Sequence, residues 1–148
     1  MKNQIMQFLI VVGIGFGIAD FAQAKDNDDK EKGCSVSTLN SLYAFHATGF
    51  NIVSGVAQPK AIVELIQFNG DGTLTSPAAT VSINGVISRS MHGTGSYTMN
   101  QDCTGSLAFG PPGPTFDIFV GFTASDLYMI QTGPGAPVFQ GTAERLSH

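Results

Sequence analysis

Apolar and polar side chains alternate in short bursts along most of this chain, and turn-forming residues end each burst after a few positions. Residues 60–68 show it best. One row reads Ile62, Glu64, Ile66, Phe68 and the other Ala61, Val63, Leu65, Gln67, so both faces are largely apolar. A period of two predicts β-strands. Beyond Cys34 no stretch keeps an apolar period of 3.6 for three turns, and the only helical signal is a short one around residues 37–41.

The bursts and breaks predict an ordered set of strands. The first covers residues 42–50. Residues 60–68 and 73–75 form a hairpin across Asn69-Gly70-Asp71-Gly72, and residues 80–83 and 86–91 form another across Asn84-Gly85. Asn-Gly and Asp-Gly tolerate the positive φ that tight hairpin turns need. Residues 95–100 and 104–109 pair around Gln101-Asp102-Cys103, residues 115–122 and 127–132 pair across Ala124-Ser125-Asp126, and residues 138–145 close the series. The Gly/Pro run at 110–114, whose prolines have no N–H to give a ladder, is a loop, and so is the run at 133–137. About eight to ten short strands in sequential hairpins predict an all-β fold: an antiparallel up-and-down β-barrel of about eight strands, with a sandwich as the alternative. No repeat of 20–50 residues points to a propeller or solenoid.

The first 24 residues read differently. Lys2 precedes an apolar stretch at residues 8–19, and Ala22-Gln23-Ala24 follows, just before a charged run. This is the pattern of a secretory signal peptide cut after Ala24, and the stretch is too short to span a bilayer core. Residues 25–33 are charged and lack apolar side chains, which predicts a disordered leader, and residues 34–148 make a single barrel domain. The expected location is periplasmic or secreted. In an oxidising compartment, Cys34 and Cys103 read as a disulfide.

The formal charge of −4 leaves no electrostatic footprint for nucleic acid. No basic amphipathic helix is present to hold the processed chain on a membrane. The histidines and cysteines have no metal-ligand spacing, and no nucleotide cradle or nucleophile elbow occurs, so neither metal nor cofactor is expected.

Three segments carry a resemblance. Leu42-Tyr43-Ala44-Phe45 with Gly49, then Phe68-Asn69-Gly70-Asp71-Gly72-Thr73-Leu74, then Gly95-Ser96-Tyr97-Thr98-Met99-Asn100-Gln101-Asp102-Cys103-Thr104-Gly105 look like landmarks of small exported bacterial proteins. These resemble the allene oxide cyclase-like barrels of the calycin type, a group that also includes polyketide cyclases. The resemblance covers roughly residues 34–145. It implies a barrel fold. Its motifs are turn and strand chemistry, and no cyclase site residue carries over.

A small barrel is either filled by side chains or just wide enough for one small ligand. Alternation puts Glu64 among apolar neighbours, where a carboxylate must be paired, hydrogen-bonded or protonated, and Arg89 is the expected partner. His46, in the row Leu42, Ala44, His46, Thr48, is a cavity base or an outward residue. Tyr43 and Tyr97 can hold a substrate oxygen or simply pack in the core. These five residues are the ligand-binding candidates. The expected function is binding of a small hydrophobic ligand in the lumen. The alternatives are a cyclase or isomerase acting on a flexible hydrophobic substrate there, and a structural or surface-interaction domain with a filled barrel.

Overall fold

A computed structural model describes residues 33–146 apart from Pro134 and Ala136; the expected signal peptide and nearly all of the charged leader lie outside the described residues. The strands are β1 (Leu42–Val53), β2 (Val56–Phe68), β3 (Thr73–Ile83), β4 (Val86–Met99), β5 (Thr104–Phe109), β6 (Thr115–Val120), β7 (Asp126–Gly133) and β8 (Val138–Arg145). Each pairs antiparallel with its sequence neighbours, and β8 returns to β1, so the sheet is a closed eight-stranded barrel. The expected up-and-down barrel is therefore the fold, and the sandwich is set aside.

The sequence cut the strands too short in the first half. β1 and β2 continue past residues 50 and 60 to meet at Ser54-Gly55, where both residues have positive φ, 50° and 80°. Serine in the first turn position hid this hairpin, since Asn, Asp or Gly usually takes it. The two pieces expected around residue 77 are one strand, β3. Its register with β4 slips between Ser76 and Ala79, and this bulge lets Pro77 sit in a strand without breaking the ladder. Likewise β4 runs unbroken from Val86 to Met99 through Ser90, whose φ is 54°.

These lengths make the barrel lopsided. β5 first meets β4 at Gly95, paired with Phe109, so residues 86–94 stand beyond the end of β5. On the other side the last β1–β8 pair is Phe50 with Val138, and residues 51–53 continue beyond it. At about 3.3 Å per residue, that extension alone adds about 10 Å. The strands β1–β4 thus form a tall wall above a shorter ring completed by β5–β8.

The opposite end is plugged. Its core holds Leu39, Tyr43, Phe45, Ile66, Phe68, Leu74, Tyr97, Leu107 and Ile118, all buried. The Phe68 ring lies edge-on between Tyr43 (5.4 Å) and Tyr97 (5.0 Å). A single 3-10 turn (Val36–Thr38) lies across this end, in place of the expected short helix. The Tyr97 hydroxyl donates to the carbonyls of Val36 (2.7 Å) and Leu39 (2.9 Å). The Cys34–Cys103 disulfide, Cα–Cα 4.9 Å, and the bond from Cys34 N–H to the Gln101 carbonyl (3.0 Å) tie the same segment down.

Outward rows on the strands carry Thr73, Thr75, Ser96, Thr98, Ser106 and Thr132, all exposed, around an apolar interior. The same outer faces also expose Val63, Phe119, Tyr128 and Ile130. Among the described residues no helix is long and apolar enough to cross a membrane.

Candidate functional site

The inward face of the tall wall changes character from the plugged end to the open one. On β2 it runs Phe68, Ile66, Glu64, Ile62, Lys60, and on β3 Leu74, Ser76, Ala79, Val81, Ile83. On β4 it runs Tyr97, Gly95, Gly93, Met91. Large rings give way to small and aliphatic side chains, and the space they leave is a cavity of about 630 Å³, closed on its far side by Phe109 and the proline loop at 110–114. Gly93 helps to keep it open. A Cβ there would already lie 3.4 Å from the Phe109 ring and 3.9 Å from Ser76, and anything longer would project into the void.

Glu64 is 7% exposed and faces this cavity. Burial pushes its carboxyl above the ordinary glutamate range; Ser76 and, more weakly, the positive charge of Lys60 pull it back. Ser76 Oγ lies near enough to favour the ionised form but not in the geometry of a hydrogen bond. It is the buried side-chain polar atom left without a partner among the described residues. A buried group in that position costs about 1–3 kcal/mol unless something else satisfies it.

Lys60 supplies the second charge. Its register partner on β1 is Gly49, and Gly49 pairs in turn with Phe139 on β8. With no side chain at Gly49, the lysine stem crosses β1. Its ammonium sits 4.1 Å from the centre of the Phe139 ring and donates to Gln131 Oε1 at 3.0 Å. Desolvation holds the Lys60 pKa below the ordinary lysine value, and Glu64 partly offsets this. Both charges therefore face one lumen, but Lys60 is committed to its own neighbours and Glu64 is not.

The five sequence candidates separate in space. Glu64 lines the cavity. Arg89 is exposed and borders a shallow outer depression with Val63 and Thr80 that Glu64 also touches, but the charge acting on the Glu64 carboxyl is Lys60. The slip in register near Ser90 breaks the alternation that placed Arg89 opposite Glu64. Tyr43 and Tyr97 lie in the plugged end, the Tyr43 hydroxyl donating to the Ala124 carbonyl at 2.6 Å. Burial raises the pKa of both phenols. His46 faces outward, its Nε2 3.4 Å from Thr142 Oγ1, in an outer depression that also includes Phe119 and Tyr128.

Lys60, Ser76, Gln131 and Met91 were not singled out by the sequence. Lys60 was within reach, because continuing the row Glu64, Ile62 by one step lands on it. Ser76 follows Leu74 by one step of the same alternation, but the predicted strand stops at residue 75, because Pro77 reads as a break. Among the described residues no group of three or more His, Cys, Asp or Glu gathers as a metal site would require. No family model matches the chain, and no curated protein or solved structure is significantly similar to it.

Proposed function

We propose that the open half of the barrel binds one small, largely apolar molecule that brings a polar group to Glu64 and Ser76. The observation that carries this is a buried carboxyl beside an unpartnered hydroxyl, both at the wall of an otherwise apolar cavity. The volume, about 630 Å³, suits one ligand of modest size. The disulfide fits an exported, periplasmic or secreted setting, in keeping with the signal-like N-terminus. Titration of the purified chain with an apolar fluorescent probe tests the reading, alongside native mass spectrometry for a co-purified molecule. Saturable binding is expected, with Gly93→Leu weakening it at least tenfold by filling the void. A chain that carries no molecule and takes up no probe overturns the proposal.

A second reading, an allene oxide cyclase-like cyclase or isomerase, is favoured by one feature: the Glu64 carboxyl has a raised pKa deep in the cavity, as a general acid or base needs. The same walls would fold a flexible substrate into a reactive shape. Turnover of a bound polyunsaturated or polyketide-like compound, lost in Glu64→Gln, separates catalysis from binding alone.

The raised pKa sets a pH dependence. In the folded chain Glu64 holds its proton to higher pH than the ordinary value of 4.5. Stability is then greatest below 4.5 and falls as pH rises through the folded pKa, where the buried group must ionise. Lys60, its pKa lowered by burial, acts in the opposite sense, with stability rising as pH climbs from its folded pKa to 10.5, and Asp71 and Asp102, held low by their Thr73 and Thr104 hydrogen bonds, act only in acid below their ordinary 3.8. Glu64→Gln is therefore expected to flatten the unfolding free energy above pH 4.5 and to gain about 1 kcal/mol at pH 7. Parallel curves for the two proteins would mean that water reaches the carboxyl freely.

A further inference from the structure

The open end is rimmed by apolar side chains that none of the described residues covers. At the β1–β2 tip Val53 is 48% and Val56 62% exposed; at the β3–β4 tip Val86 is 71% and Ile87 50% exposed; Val138, at the start of β8, is 64% exposed. These two hairpins are the tall wall, so their tips are the most advanced points at the mouth of the cavity. Each turn is built from Ser54-Gly55 or Asn84-Gly85, without a charge.

The charges are sorted along the barrel axis. Asp71, Asp102, Asp126 and Glu144 lie at the plugged end, with Arg145 beside them, and Asp117 lies midway on β6. On the open half the described residues offer Lys60, Arg89 and the inward Glu64, and no acidic side chain on the rim. The plugged end also exposes Phe122, but among those carboxylates. Among the described residues the acidic side chains thus gather mostly at one pole, away from the rim.

We propose that the apolar rim docks on a lipid bilayer with the cavity mouth facing the lipid, so that the ligand passes between membrane and lumen without crossing water. The inference rests on the lumen as a binding site, and adds where the ligand comes from: an amphipathic molecule resident in a bilayer. The partner's chemistry follows from the rim. Aliphatic tips enter the headgroup and acyl boundary, Arg89 faces anionic headgroups, and the acidic pole points away from them.

The test is flotation with vesicles of phosphatidylethanolamine and phosphatidylglycerol, and with phosphatidylcholine vesicles alone. Residues 8–19 would themselves enter lipid, so the assay uses the chain from Lys25 onward, which contains every strand, the 3-10 turn and the disulfide of the closed barrel. Flotation with the anionic vesicles is expected. Val56→Asp with Val86→Asp should cut it at least tenfold while leaving apolar-probe binding in solution unchanged, since neither residue lines the cavity. Arg89→Glu should weaken flotation with anionic vesicles several-fold and not with neutral ones. Gly93→Leu should float normally and lose the probe. Failure of the two readings is thereby distinguishable: lost probe binding in the parent chain sinks the lumen site, whereas probe binding without flotation sinks the docking. Flotation that survives the double substitution, or a rim that instead holds two copies together in sedimentation, also overturns the docking.

Discussion

Replacing Cys34 and Cys103 by Ser is expected to lower the unfolding free energy by roughly 4 kcal/mol. The bond joins residues 69 apart, so it removes a large loop-closure entropy from the unfolded chain. It also fixes the plug. Residues 34–39 have no strand partner; they are held by the Cys34 backbone bond to Gln101, the two hydrogen bonds from Tyr97 and the packing of Leu39. Without the covalent tie, the plug should detach before the barrel opens. Denaturant unfolding of the two proteins measures the first effect, and hydrogen exchange at Leu39 and Tyr97 the second. A loss under about 1 kcal/mol would show that the unfolded chain already keeps its ends together.

How much of this barrel was legible depended on local punctuation. β5 and β8 were read to the residue, because a Gly/Pro loop borders one end of each and no bulge interrupts the alternation. β3 and β4 were each split, because Pro77 and the residues around Ser90 look like breaks locally, and only pairing with a neighbouring strand shows that the ladder survives. The closure of the sheet followed from nearest-neighbour hairpins. Its lopsidedness did not, since that depends on register between distant segments such as Gly95 with Phe109.

The site divided along the same line. The alternation that turned Glu64 inward holds without a break through Lys60, Ile62, Ile66 and Phe68. Arg89 lies beyond a slip in register, and the sequence carries no sign of which way such a slip turns a side chain. Tyr43 and Tyr97 face inward, but so does the plug, and their hydroxyls meet its end of the barrel. Whether an inward residue meets ligand or core depends on its height along the axis. That is set by strand lengths, which the sequence underestimated.

That height can be measured by truncating inward side chains at two levels. Phe68→Ala, in the plugged end, should cost about 3–5 kcal/mol. Phe68 is fully buried between Tyr43 and Tyr97, and both rings are themselves pinned by hydroxyl bonds, so neighbours cannot collapse into the gap. Met91→Ala, at the cavity wall, should cost under about 1 kcal/mol. Met91 is 46% exposed, it already borders empty space, and shortening it enlarges a void instead of creating one. The two substitutions should separate oppositely in a ligand assay: Met91→Ala changes probe affinity with little loss of stability, and Phe68→Ala loses stability first. Equal costs for both would mean that the upper lumen is packed as tightly as the lower, and a barrel filled from end to end has no room for a ligand.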